Sequence, residues 1–131
     1  MLTEDDVVDA VARHLVNSGW SVEGRVLAVQ HGDDLVVARH GRRLLVEAKG
    51  EGSSKPGTRR YGRAFTRGQV HDHVAKAVLR AMRFVSAGDL GAVALPDNPD
   101  HRREVERVAP ALQMLGITVF WVDRDGVVTT V

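Results

Sequence analysis

The stretch DLVVARHGRRLLVEAK, running from Asp34 to Lys49, decides how the chain is read. Two β-rich runs, Asp34 to Arg39 and Arg42 to Lys49, flank His40-Gly41, and a two-residue loop there makes a hairpin in which Arg39 pairs with Arg42. Each step back along the first strand pairs with a step forward along the second, so Asp34 comes to face Glu47. Two carboxylates directly opposite each other on a sheet repel. Holding them on a mostly apolar hairpin is costly unless a cation lies between them, and a divalent metal is the natural one. Lys49 stands two residues beyond Glu47, so both side chains leave the same face of the strand while Ala48 points to the other. Acid, acid and amine converge.

Hard oxygen ligands, in a chain with no Cys and no paired His, favour Mg²⁺ or Mn²⁺ over zinc. Such a metal beside an ammonium suits attack by water on a phosphodiester: it polarises the phosphate and lowers the pKa of the water it binds. Lys49 then stabilises the developing charge or helps to activate that water. Lysine serves here better than arginine, because a compact ammonium can give up its proton where the surroundings shift it.

Working outward, Thr3 followed by Glu4, Asp5 and Asp6 reads as a capped helix start, with acids at the positive end of the helix dipole. Val7, Val8, Val11 and Leu15 give that helix one apolar face, and it should run to about Ser18 before the stop at Gly19. A first strand is expected over Trp20 to Gln30, with a turn at His31-Gly32. Gly50 to Thr66 is a long Gly, Ser and Arg-rich loop. An amphipathic helix follows from Arg67 to Ser86, then a buried strand from Leu90 to Leu95 ended by Pro96. A third helix spans Asp100 to Leu115, kinked or split by Pro110. Strands at Ile117 to Val122 and Val127 to Val131 flank Asp123-Arg124-Asp125-Gly126 as a closing hairpin. Runs such as Leu35-Val36-Val37 and Leu44-Leu45-Val46 are apolar on both faces, so helices should cover both sides of one mixed sheet. The expected fold is α/β, a three-layer α/β/α sandwich in the order α-β-β-β-α-β-α-β-β, without internal repeats.

Asp33-Asp34-Leu35-Val36-Val37 followed by Leu44-Leu45-Val46-Glu47-Ala48-Lys49 resembles the PD-(D/E)XK nuclease superfamily, closest to its small Mrr-like and Holliday-junction-resolvase-like members. The resemblance covers roughly Thr3 to Leu95 and implies a restriction-endonuclease-like core, α-β-β-β-α-β, here extended by a C-terminal helix and β-hairpin. It implies Asp34 and Glu47 as metal ligands, Lys49 as the catalytic lysine and the Ala48 carbonyl as a further ligand. Asp33 stands where the family often has Pro, so Asp33 is an alternative metal acid, although the hairpin register prefers Asp34. Several members carry a Glu in the first helix that completes the metal site, the place of Glu4 here. Good N-terminal electrostatics explains Glu4 as well. Members also place a Gln beside the catalytic strand, the place of Gln69, with His73 where an aromatic sometimes stands.

Gln69, His73, Lys76 and Arg80 form one polar stripe on the second long helix, which a solvated face also explains. Gln69 is the best placed of them to touch phosphate or metal-bound water. His71 and His73 diverge by about 200° around the helix, so a shared metal is not expected. His14, His31, His40 and His101 are scattered singly and read as polar surface residues, while Trp20 and Trp121 read as core. In the long loop, Lys55, Arg59, Arg60, Arg63 and Arg67 offer phosphate contacts, and Tyr61 and Phe65 offer groups that stack on unpaired bases. A disordered loop carrying a general arginine bias is the alternative, since the chain has 15 Arg and only 3 Lys; position favours function, because the loop joins the Lys49 strand to the Gln69 helix and must hang beside the expected metal.

With 131 residues the chain is long enough for one core and too short for two. The acidic start MLTEDD is unlike a signal peptide, no apolar run approaches the roughly 18 residues of a membrane span, and the absence of Cys fits a reducing cytoplasm. The net charge of +1 excludes a uniformly basic protein. It conceals a division: Arg42 to Arg67 carries +6 and the remainder −5. Positive charge is gathered beside the acid pair, as steering of a phosphate requires. The expected partner is nucleic acid, with DNA placed ahead of RNA, and a homodimer would serve to cut both strands.

Overall fold

The computed structural model describes residues 1–25, 34–52 and 63–131. Helix α1 (Glu4–Asn17) begins at a reciprocal cap: Thr3 Oγ1 accepts the Asp6 N–H at 3.1 Å and Asp6 Oδ2 accepts the Thr3 N–H at 2.9 Å. Its apolar residues Val7, Val8, Val11 and Leu15 are buried, each such side chain worth roughly 1.5–3 kcal/mol. Strands β1 (Ser21–Arg25), β2 (Leu35–Arg39) and β3 (Arg42–Ala48) form an antiparallel meander. Residues 26–33, which include Asp33 and the His31-Gly32 turn, lie outside the described residues, so β1 is described only over the first part of the expected strand.

The hairpin has the register that its turn dictates. Arg39 stands opposite Arg42 and Leu35 opposite Val46, and His40 (φ 52°) and Gly41 (φ 76°) take the two left-handed conformations of a tight hairpin turn. Helix α2 (Arg67–Ser86) crosses back to β4 (Leu90–Pro96), which lies parallel to β3. The third expected helix is divided into α3 (Pro99–Glu106) and α4 (Ala109–Met114), with Pro110 in the first turn of α4, where its missing N–H leaves no bond unmade. Strand β5 (Thr118–Val122) is parallel to β4 and β6 (Val128–Thr130) closes an antiparallel hairpin on it.

The six strands lie in the sheet in the order of the sequence, β1 to β6, and the sheet is mixed. On one face α1 packs over Leu35, Val37, Leu44, Val46, Ala48 and Phe120. On the other, α2 with Val105 and Leu112 of α3 and α4 covers Val93, Leu95, Val119 and Trp121. The chain is therefore an α/β protein with helices on both faces of the sheet. Trp121 is core, as expected, and Trp20 is half-buried under the Arg39 guanidinium, 4.4 Å from its ring centre. Two glycines set close approaches. A Cβ on Gly91 would come within 2.7 Å of the Ala81 carbonyl oxygen, and one on Gly50 within 2.5 Å of the Glu4 nitrogen. Gly91 lets α2 lie directly on β4, and Gly50 lets the chain leaving β3 pass the start of α1. Among the described residues no helix is long and apolar enough to cross a membrane.

Candidate active site

Asp34 and Glu47 lie one step beyond the last ladder pair, Leu35–Val46, and are close enough that each acts on the other's ionisation. Leu44, Val46 and Ala48 belong to the α1 face, so by alternation Glu47 and Lys49 belong to the α2 face. Both acids are buried, Asp34 at 8% and Glu47 at 5% exposure. Asp34 Oδ2 accepts the backbone N–H of Ala48 at 2.8 Å. Lys49 Nζ lies 3.6 Å from Glu47 Oε1. Burial pushes the Glu47 carboxyl up to about 7, with the Asp34 charge adding to it, against the opposing pull of Lys49 and Arg80. Burial also raises Asp34, against the Ala48 hydrogen bond, Lys49 and Arg80. Desolvation therefore outweighs the charge partners at both acids.

The cation that relieves the acid pair is in part the protein's own. Arg80 Nε lies 3.1 Å from Glu47 Oε2. Neither atom has a hydrogen bond of acceptable direction, although both are buried, so the contact is an ion pair at short range with poor alignment. Sequence reasoning placed Arg80 on a solvated stripe and did not assign it to the site. The available signal was its neighbours: Ala77 and Ala81, both fully buried, give α2 a low surface over which a long side chain can reach β3.

Glu4 opens α1, and its charge is the last of the causes that raise Glu47. Its helix packs on the sheet face away from Glu47, and it is not brought into a three-acid cluster. Among the described residues no group of three or more His, Asp and Glu side chains could hold a metal. What the site offers a cation is Asp34, Glu47 and the Ala48 carbonyl, an oxygen-only set.

Gln69 has a structural task. Its Oε1 accepts the Thr66 N–H at 2.9 Å while Thr66 Oγ1 accepts the Gln69 N–H at 3.3 Å, a reciprocal cap on α2. His73 is half-buried edge-on against Phe65, ring centres 4.4 Å apart, with Nδ1 buried and without a hydrogen bond. Burial, then Lys49 and Lys76, push its pKa down. Burial and the two lysines thus both disfavour a charged His73 ring. Lys76 is exposed. His71 pairs with Glu104 at 2.8 Å and so turns away from His73, as the helical spacing requires.

Of the loop residues expected to bind nucleic acid, Lys55, Arg59, Arg60 and Tyr61 lie outside the described residues. Arg63 is exposed, and Arg67, also exposed, pairs with Asp100 at 3.4 Å. The two ends of the loop are stitched together beside the site: Gly52 bridges Ala64, and the Phe65 N–H donates to the Glu51 carbonyl at 2.9 Å.

His101 corrects the sequence reading. It is fully buried rather than a surface residue, with Nδ1 2.8 Å from Asn98 Oδ1 and Nε2 buried without a partner. It precedes Val105 by four residues, which puts it on the inner stripe of α3, and burial lowers its pKa to about 4. Asn98 also donates to Glu51 Oε2 at 3.2 Å, and Glu51 Oε1 accepts the Leu2 N–H at 2.7 Å. This network ties the chain just after Lys49 to the starts of α1 and α3.

No protein-family model, no curated protein and no solved structure matches this chain.

Proposed function

We propose that the protein is a metal-dependent endonuclease that hydrolyses phosphodiester bonds of DNA. One observation carries the reading: two buried carboxylates and an ammonium meet at the end of one hairpin, with both acids raised by desolvation. Such a group is costly to fold and is of use to a cation and a reacting phosphate. The donor set suits Mg²⁺, with Mn²⁺ as a substitute, because it is all oxygen and Glu47 Oε2 is buried without a hydrogen bond. Asp34, Glu47 and the Ala48 carbonyl would hold the ion, with Glu4 at its margin. Bound there, the metal would polarise the phosphate and make water nucleophilic near neutral pH.

Lys49 keeps its ammonium against Glu47 and partly open to solvent, where it can stabilise charge on the attacked phosphate and orient the incoming water. Gln69 holds the start of α2 in place next to that group. Lys55, Arg59, Arg60, Tyr61, Arg63 and Arg67, with Lys76, would track the backbone of the substrate beside the site. The substrate would be selected by DNA structure or by a partner. A homodimer would cut both strands, in the cytoplasm.

The test is a cleavage assay over branched, single-stranded and duplex DNA and RNA with Mg²⁺ or Mn²⁺. Cleavage that disappears in Lys49→Ala, with the fold intact by circular dichroism, is the expected result. No cleavage of any substrate, or activity that survives Lys49→Ala, overturns it.

A second reading is a catalytically inactive nucleic-acid-binding or assembly module that keeps the fold. It is favoured by the two oxygens of Glu47 each facing a protein cation already. It predicts salt-sensitive DNA binding that needs no divalent metal. Melting with and without Mn²⁺ separates the two, since a working site gains stability from metal and loses that gain in Asp34→Ala.

A further inference from the structure

Glu47 carries two cations of unlike character. Lys49 lies 3.6 Å from Oε1 and Arg80 lies 3.1 Å from Oε2. Lys49 stands two residues beyond Glu47, just past the end of β3, and its side chain is 20% exposed. Arg80 comes from α2, across the buried alanines Ala77 and Ala81, on a long side chain that is 38% exposed. Its contact with Oε2 is close and poorly aligned. It has a route to solvent, whereas Glu47, at 7% side-chain exposure, has none.

The charges fit two different states. With both carboxyls ionised, Asp34 and Glu47 against Lys49 and Arg80 make a neutral group. The same two acids and Lys49 with a divalent ion and one phosphodiester also make a neutral group, and there Arg80 is surplus at Glu47. A guanidinium does not lose its proton in proteins, so it can yield Oε2 only by moving.

We infer that Arg80 is a displaceable counter-ion that sets metal occupancy of this site. It sits on Glu47 Oε2 when the metal is away, competes with the metal for that oxygen, and swings out toward the solvent side when the ion binds, where it meets the substrate's phosphate. The inference rests on the reading of Asp34 and Glu47 as metal ligands, and it adds a control on when they act as such.

The test is calorimetric titration of the full chain with Mn²⁺, comparing wild type with Arg80→Gln, Arg80→Met, Arg80→Lys and Arg83→Gln. Removing the competing charge should tighten Mn²⁺ binding about two- to fivefold in Arg80→Gln, the scale of one partly exposed ion pair. Arg80→Met, which keeps most of the stem, should tighten it likewise should the glutamine variant fold poorly. Arg80→Lys should return affinity toward wild type. Arg83→Gln removes the same charge from an exposed position on the same helix and should leave affinity unchanged. Equal affinity in wild type, Arg80→Gln and Arg80→Met, or equal tightening in Arg83→Gln, overturns the counter-ion role and leaves the metal site standing. No Mn²⁺ binding by wild type or any Arg80 variant overturns the metal site itself, and the role of Arg80 with it.

Discussion

Asp34 ends the β2–β3 ladder with its side chain, Oδ2 accepting the Ala48 N–H at 2.8 Å where the backbone of a longer strand would otherwise do so. The acid thus has a structural task beside its charge. Asp34→Ala leaves a buried N–H without an acceptor and should cost about 1–3 kcal/mol by urea unfolding. Asp34→Asn keeps an acceptor at that place and should be nearly as stable as wild type. Because the Asp34 charge helps to raise Glu47, either variant should move the Glu47 titration down, read by carboxyl NMR.

Glu47 and His101 give stability opposite slopes in pH. Glu47 goes from 4.5 to about 7 on folding, so between those values the native state keeps a proton that the unfolded chain has released, and stability falls as pH rises. His101 goes from 6.5 to about 4, so between those values the unfolded chain takes a proton that the native state refuses, and stability rises with pH. Each shift is worth about 3 kcal/mol at full effect. From 4.5 to 6.5 the two oppose each other, and their joint contribution should be nearly flat. Glu47→Gln should expose a rising melting temperature over that interval and His101→Leu a falling one. Parallel profiles for the two variants would contradict this.

Gly91 determines how closely α2 approaches the sheet. Gly91→Val places side-chain carbon against the Ala81 carbonyl, a backbone atom that cannot turn aside. Overpacking of this kind costs about 1–3 kcal/mol. Pushing α2 outward also carries Arg80 away from Glu47, so denaturation and the Glu47 titration should change together in this variant.

Gln69 can be separated from the chemistry by substitution. Gln69→Ala removes one half of the α2 cap and should cost about 1 kcal/mol. Gln69→Glu retains the reciprocal cap, which glutamate makes equally well, and should be as stable as wild type. Cleavage that survives in Gln69→Glu would assign Gln69 to the cap alone.

Much of this geometry is legible in the residues. The period-two hairpin and its two-residue turn carry the Asp34–Glu47 register, because one slip would send every side chain to the wrong face. Thr66 and Gln69 mark the start of α2, and Pro110 marks the break between α3 and α4. Arg80 escaped because a helical stripe shows spacing and not reach: the distance its side chain covers depends on Gly91 drawing α2 onto the sheet. His101 escaped because a single histidine has no period of its own, although Val105 four residues later marks the inner stripe. Glu4 reads as close to the acids in sequence logic, yet α1 lies on the opposite face, and only the close backbone approach at Gly50 brings its first residue near.

The strand order β1 to β6, the same in space as along the chain, bears on how the molecule comes into being. Each strand can be added to the one before it, with no earlier gap held open for a later arrival, which keeps the sequence separation of contacts small and favours rapid folding. The acid pair can form as soon as β3 closes the hairpin on β2. Arg80 takes its place only when α2 has β4 to lie on. During synthesis there is thus an interval in which β3, apolar on both faces, is a bare sheet edge carrying two carboxylates that lack one of their cations. That interval is when the chain is most exposed to pairing with a neighbour.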